Sequence, residues 1–313
     1  MSKKWVPYSL LTLFLSLLIV LPFFTEDYTL YVIYTLFLYI SLAQSWNLLG
    51  GYSGLISLGH AAFFGVGAYA TALTVNYLGL HFLAAALMGG MTAVIFSVVM
   101  AIPTFRFHGI YFAIGTIVIA EALRLWMINW DVAGGPLGIS FPTDCGTSLT
   151  GFYYLMMIVA ALATALPAVI LKTKLGFGLR AIRDNEASAE SIGVNIFRTK
   201  LWAFAISAFV AGITGGLYAV KVSTIEPNSI FEATWSLSAI NMVIIGGVGT
   251  LAGPIFGAVF FICLAELLAG YSSYQLLLTG IILVLIMRFL PGGIWGWLRH
   301  TRPIKYIERY VFA

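Results

Sequence analysis

The chain has 313 residues, of which 61% are hydrophobic and only 9% charged, and its mean hydropathy is +0.98. Soluble domains carry about 25% charged residues, so this composition excludes a water-soluble enzyme or binding module and points to a polytopic membrane protein. The net charge of +4, from 16 basic against 12 acidic residues, orients membrane loops and argues nothing for nucleic acid.

A spanning helix needs about 20 apolar residues. Read in order, the apolar runs are Trp5–Phe24, Tyr28–Leu49, Ser53–Leu78, His81–Pro103, Gly109–Asn129, Gly151–Leu171, Leu201–Lys221, Ala233–Gly246, Leu251–Gly270 and Ser273–Leu290. The expected fold class is therefore all-α, a polytopic transmembrane helical bundle of about ten spans in one domain, 1–313. Trp5–Phe24 follows Lys3 and Lys4 and ends in FFTED without a small-residue cleavage site, so it reads as a retained span rather than a signal peptide. The basic loops sort to one side: Lys3 and Lys4, then Arg106 and His108, then the Lys172–Lys200 loop, then the 291–313 tail with Arg299, Arg302, Lys305 and Arg309. The Asp131–Thr150 loop, with no Lys or Arg, falls on the other side. By the positive-inside rule both termini are expected in the cytoplasm, and the tail past Pro303 reads as a short interfacial helix. Ser53–Leu78 is glycine-rich and Ala233–Gly246 is short, and both are candidates for broken or re-entrant helices, which are tolerated only against protein or water. Cys145 and Cys263 are far apart and suggest neither a disulfide framework nor a metal site.

Within the membrane, WNLLGGYSGLISLGHAAFFGVGAYA, Trp46 to Ala70, carries Ser53, Ser57, Ala61 and Gly65 at four-residue spacing. On one continuous helix they form a small-residue stripe for close helix packing. His60 beside it is a candidate for lining a path, with a satisfied structural histidine as the plainer reading. Glu121 and Arg124 are spaced to pair within one span. Gln44, Asn47 and Asn241 are amides that must find partners. Glu266 falls near a span end. No phosphate-binding loop or metal-ligand cluster occurs, and the Gly51-Tyr52-Ser53-Gly54 tetrapeptide looks like the Gly-x-Ser-Gly of intramembrane serine proteases, an alternative that needs a base within reach of Ser53, with His60 seven residues along the same segment.

The longest polar stretch is KTKLGFGLRAIRDNEASAESIGVNIFRTK, Lys172 to Lys200. Asp184 is placed to cap a short helix there, with Glu186 and Glu190 early in it and Gly193 ending it. At about two turns, that helix needs a partner surface to be stable.

Four blocks in consistent order, SGLISLGHAAFFGVGAYATAL, GIYFAIGTIVIAEALR, GFGLRAIRDNEASAESIGVNIFRTKLWAFAISAFVAGITGGLYA and INMVIIGGVGTLAGPIFGA, resemble the LivM-type permease subunit of bacterial branched-chain amino acid ABC importers. The resemblance implies a non-enzymatic permease in the bacterial inner membrane, paired with a homologous LivH-type permease, two cytoplasmic ATPases and a periplasmic binding protein. It implies no cofactor on this chain, with ATP and Mg bound by the ATPases. It also implies that the 172–200 loop carries an ATPase-docking helix involving Arg180, Arg183, Asp184, Glu186, Ala187, Glu190 and Gly193. Glu186-Ala187-Ser188 precedes Gly193 by one residue more than the usual Glu-Ala-Ala spacing. Asn47, Ser53, Ser57, His60, Glu121 and Asn241 are the candidates for the translocation path. Related permeases carry urea, short amides or other amino acids, and an ion-coupled secondary transporter is a second alternative outside the family.

Overall fold

Backbone amides buried in lipid must be satisfied within the spanning segment, and a chain this apolar therefore folds into helices. The computed structural model describes residues 16–141, 148–290 and 292–299, and these form helices joined by short links with one antiparallel ribbon of two strands. Lys3, Lys4, most of the Trp5–Phe24 span, Cys145, Pro291 and the tail from 300 onward lie outside the described residues.

The elements in order are α1 (Asp27–Ser53), α2 (His60–Leu78), α3 (Phe82–Thr104), α4 (Ile110–Ile128), β1 (Ile139–Ser140), α5 (Leu149–Ile170), α6 (Lys174–Asp184), α7 (Glu186–Ser191), α8 (Ile196–Val222), β2 (Thr224–Ile225), α9 (Pro227–Ile230), α10 (Ala233–Gly246), α11 (Gly253–Leu267), α12 (Ser272–Phe289) and α13 (Gly293–Arg299). Among the described residues, 8 segments are long and apolar enough to span a membrane, and α11 is a shorter apolar helix of 15 residues. The short Ala233–Gly246 span gains length from α9, which brings the segment to Pro227–Gly246. The fold class is that of a polytopic helical membrane protein.

The predicted Ser53–Leu78 helix is not continuous. α1 runs on through Ser53 and is closed by Gly54 at φ 74°, a left-handed conformation that favours glycine. Residues 54–59 then turn back without helix, and α2 begins at His60. The small-residue stripe is thereby divided: Ser53 ends α1, Ser57 lies in the link, and Ala61 and Gly65 belong to α2.

α1 is the central helix, touching α5, α8, α10 and α11. A second group, α2, α3 and α8, packs backbone to backbone. A Cβ on Gly67 of α2 would lie 2.1 Å from the Gly212 carbonyl oxygen of α8, so only glycine permits this crossing. The two ends of the bundle differ in charge. One gathers Arg106, His108, Arg288 and the α6–α7 segment, with Gly293 packed on Gly247. The opposite end gathers Glu26, Asp27, Asp131, Glu226, Glu232 and Glu266. There β1 pairs with β2, Asn76 donates to the Ser140 carbonyl, and Tyr28 donates to Glu266.

Candidate functional site

At the basic end the 172–200 loop is more structured than its sequence suggests. Two helices replace the one expected, because α6 buries Leu179 and Ile182 against the bundle. Asp184 closes α6 rather than capping α7. Asn185 is the cap, its Oδ1 accepting from the Ser188 N–H at 2.9 Å. Gly193 at φ 86° then turns the chain away, after the Gly193 N–H donates to the Glu190 carbonyl. α8 starts at Ile196, capped by Asn195, so the last residues of the predicted loop are helical.

Three side chains fasten this unit to the spans. Arg183 Nη1 donates to the Gly51 carbonyl in the last turn of α1 at 2.6 Å. Arg180 Nη2 donates to the Leu171 carbonyl at 3.2 Å. Lys200 Nζ, buried on α8, donates to Glu186 Oε1 at 2.6 Å, with His108 3.9 Å from the other carboxylate oxygen. Asp184, Ala187 and Glu190 face solvent, as do the apolar Phe177 and Ile192. Neither Phe177 nor Ile192 was singled out from the sequence. The usable signal was an isoleucine standing next to the helix-ending glycine.

Arg183 reaches a joint that α1 and the α10–α11 turn share. Asn47 Nδ2 donates to the Thr250 carbonyl and Asn47 Oδ1 accepts from the Gly249 N–H, both at 2.9 Å. Gln44 Nε2 donates to the Leu251 carbonyl at 2.8 Å. A Cβ on Gly249 would lie 2.6 Å from Arg183 Nη1. The guanidinium thus sits against two glycine-lined turns held together by Asn47.

Leu55, Ser57 and Gly59 of the 54–59 link are buried while Gly54 and Ile56 are exposed, and side chains from neighbouring helices satisfy part of its backbone, the condition for non-helical chain at membrane depth. Trp46 Nε1 donates to the Ser57 carbonyl at 2.7 Å. Thr116 Oγ1 accepts from the Leu58 N–H at 3.0 Å, and Ser236 Oγ accepts from the Ala61 N–H at 2.8 Å. His60 Nε2 lies 2.8 Å from Ser207 Oγ, which donates to the Ser45 carbonyl at 2.7 Å. With its proton committed to Ser45, the Ser207 oxygen must accept, so His60 carries its proton on Nε2. Trp46, Thr116, Ser207 and Ser236 were not identified from sequence, because each is recognisable only by what it touches across the bundle.

Asn47 and Ser53 lie in the last two turns of α1, Ser57 in the link and His60 at the start of α2, so the four flank this break along the chain. Ser53 donates to the Leu49 carbonyl of its own helix. Glu121 lies elsewhere, on an exposed part of α4, where Arg124 Nε donates to both its carboxylate oxygens at 3.0 Å and a second guanidinium N–H reaches Asn228 of α9. Asn241 is half-buried on α10. Among the described residues no group of His, Cys, Asp or Glu could hold a metal ion.

A bundle of spanning-length helices with a broken segment and a short polar helix pair fastened at one end is the architecture of a multi-pass helical membrane protein. Residues 28–287 match the family described as branched-chain amino acid transport system / permease component, and the chain belongs to that family. It is 31% identical to the high-affinity branched-chain amino acid transport system permease protein LivM of Escherichia coli strain K12, over 93% of this chain and 76% of that one. It is 24% identical to the probable LivM permease of Methanocaldococcus jannaschii, over 82% of this chain and 90% of that one. The probable LivH permease of the same organism is 28% identical over 48% of this chain and 50% of its own. No solved structure matches the chain.

Proposed function

We propose that this chain is one of two permease subunits of an ATP-driven importer for leucine, isoleucine and valine. The substrate class rests on the names of the LivM relatives, and the permease pair on the likeness to both LivM and LivH proteins. A periplasmic binding protein delivers the amino acid to the acidic end. Two ATPases dock at the basic end, which the positive-inside rule places in the cytoplasm of a bacterial inner membrane. The observation that carries the mechanism is the Arg183–Gly51 hydrogen bond. It ties the exposed polar helix pair to the point where α1 ends and the chain turns back into the membrane.

In this reading the ATPase grips α7 through Ala187, Glu190 and neighbouring exposed side chains. Closure of the motors pulls on α6–α7 as a rigid unit, and Arg183 passes the displacement to the Gly51 and Gly249 turns. The 54–59 link then shifts, and access alternates from one end to the other. Packed elements with two discrete arrangements transmit such motion. Asn47, Ser53, Ser57 and His60 border the moving link and supply the polar groups for the zwitterionic part of the solute.

The test is reconstitution of the chain with a second permease, two ATPases and the binding protein in vesicles, followed by uptake of L-leucine. Uptake should require ATP hydrolysis and should fall in Gly193→Val while the chain still inserts. A chain that purifies alone and moves solute in ATP-free vesicles would replace this reading with ion-coupled transport.

A further inference from the structure

Between α1, α8 and α10 at the acidic end lies a cavity of about 470 Å³. Its walls include Tyr34, Leu38 and Tyr39 of α1, Tyr218 and Lys221 of α8, and Trp235 of α10. The Lys221 ammonium stands 4.1 Å from the ring centroid of Tyr31 and 5.6 Å from that of Tyr34. Among the described residues no carboxylate lies within ion-pair distance of it. Tyr34 is 1% exposed, yet its hydroxyl has no hydrogen-bond partner among the described residues.

A buried phenol without a partner is unfavourable unless something completes it. A cation held only by ring faces retains its capacity for an anion. The two sit in one chamber whose remaining lining is aliphatic and aromatic apart from Thr35, whose hydroxyl donates to the Tyr31 carbonyl. The complement is a small amphiphile with an anionic head and an apolar tail. Lysine, tyrosine and tryptophan also mark membrane interfaces as an anchoring belt, but belt residues turn outward, whereas Tyr34 is enclosed.

We propose that this cavity is a receiving subsite for the α-carboxylate of an aliphatic amino acid entering from the acidic end, a proposal that rests on the importer reading. The carboxylate pairs with the Lys221 ammonium and accepts the Tyr34 O–H. The side chain lies against Leu38 and the rings of Tyr39, Tyr218 and Trp235. The subsite is separate from the Asn47–His60 region and precedes it on the way in.

The experiment uses the whole reconstituted importer, with L-leucine as the transported probe and a diazirine analogue of leucine as the label. Wild type should import leucine and be labelled on α1 and α8 peptides, and the carboxamide form of the label should not react there. Loss of a hydrogen bond to a charged group predicts uptake at subsaturating loaded binding protein about 10-fold lower in Lys221→Met and about 3-fold lower in Tyr34→Phe. Lys221→Arg should restore most of it, which separates loss of the cation from faulty assembly. ATP hydrolysis without binding protein should be unchanged in all three. Wild-type uptake and labelling in Lys221→Met would overturn the subsite and leave the importer reading standing. A phospholipid that co-purifies with wild type but not with Lys221→Met, with uptake unaltered, would overturn it in favour of a lipid site. A wild-type assembly that imports no leucine would overturn the importer reading, and the subsite with it.

Discussion

Arg183 and Gly51 are separated by 132 positions in sequence, yet the guanidinium Nη1 donates to the glycine carbonyl at 2.6 Å. That carbonyl belongs to the last turn of α1, where the helix itself supplies no N–H donor to its carbonyls. The arginine therefore completes the end of the central span and connects it to the polar helix pair. Arg183→Ala should lower ATP-driven uptake about 10-fold, the loss expected for one charge-assisted hydrogen bond in the coupling route. ATP hydrolysis should continue, so the ratio of solute moved to ATP consumed should fall. An unchanged ratio would show that coupling bypasses this contact.

Glu186 and Lys200 form an asymmetric pair. The lysine side chain is 3% exposed and the glutamate 36%. Removing the glutamate strands a buried cation, whereas removing the lysine leaves a carboxylate able to turn to water. Glu186→Ala should therefore destabilise the assembly by about 2 kcal/mol, less than for a fully buried pair, and more than Lys200→Met does. The double variant should recover part of the loss. Thermal unfolding of the purified complex checks this, and equal effects of the two single changes would contradict it.

The link between α1 and α2 depends on borrowed hydrogen bonds. Trp46→Phe keeps the ring but leaves the buried Ser57 carbonyl without its donor. The expected cost is about 1–3 kcal/mol. Hydrogen exchange at residues 55–60 should speed up, and exchange confined to its wild-type rate would show that Trp46 does not hold the link.

Glycine positions divide by what surrounds them. Gly67→Ala places a methyl 2.1 Å from the Gly212 carbonyl oxygen, and forcing α2 from α8 should cost about 1–3 kcal/mol. Gly280→Ala meets nothing within 4 Å and should be neutral or mildly stabilising, since alanine favours helix by about 1 kcal/mol. Melting temperatures of the two variants in the same complex make the comparison, and a Gly67→Ala protein as stable as wild type would refute the tight crossing.

Much of the architecture was legible because membrane burial imposes a simple length rule. Apolar runs such as Gly109–Asn129 and Gly151–Leu171 became α4 and α5 within a few residues of their expected bounds. The glycines of the Ser53–Leu78 run pointed to a broken helix, and the chain is broken at 54–59, but the place of the break was not legible because hydropathy records burial and not backbone path. Nor were the partners that stabilise a non-helical link, Trp46, Thr116 and Ser236. The second helix of the polar loop escaped notice for a related reason: α6 is held by burial of Leu179 and Ile182 against a surface that the local sequence does not contain.

By itself the sequence determined the class, the approximate spans, the charge difference between the two ends and the polar segment that closes at Gly193. These follow from composition and local chemistry, which act residue by residue. Tertiary structure decided where α1 stops, that Asn47 clamps the Gly249–Thr250 turn, that Arg183 sits on that joint, and that Lys221 and Tyr34 face one chamber. Each is a pairing between groups far apart along the chain. Such pairings exist only once helices pack at fixed depth and rotation, and packing is set by the complementary shapes of whole faces rather than by any local motif.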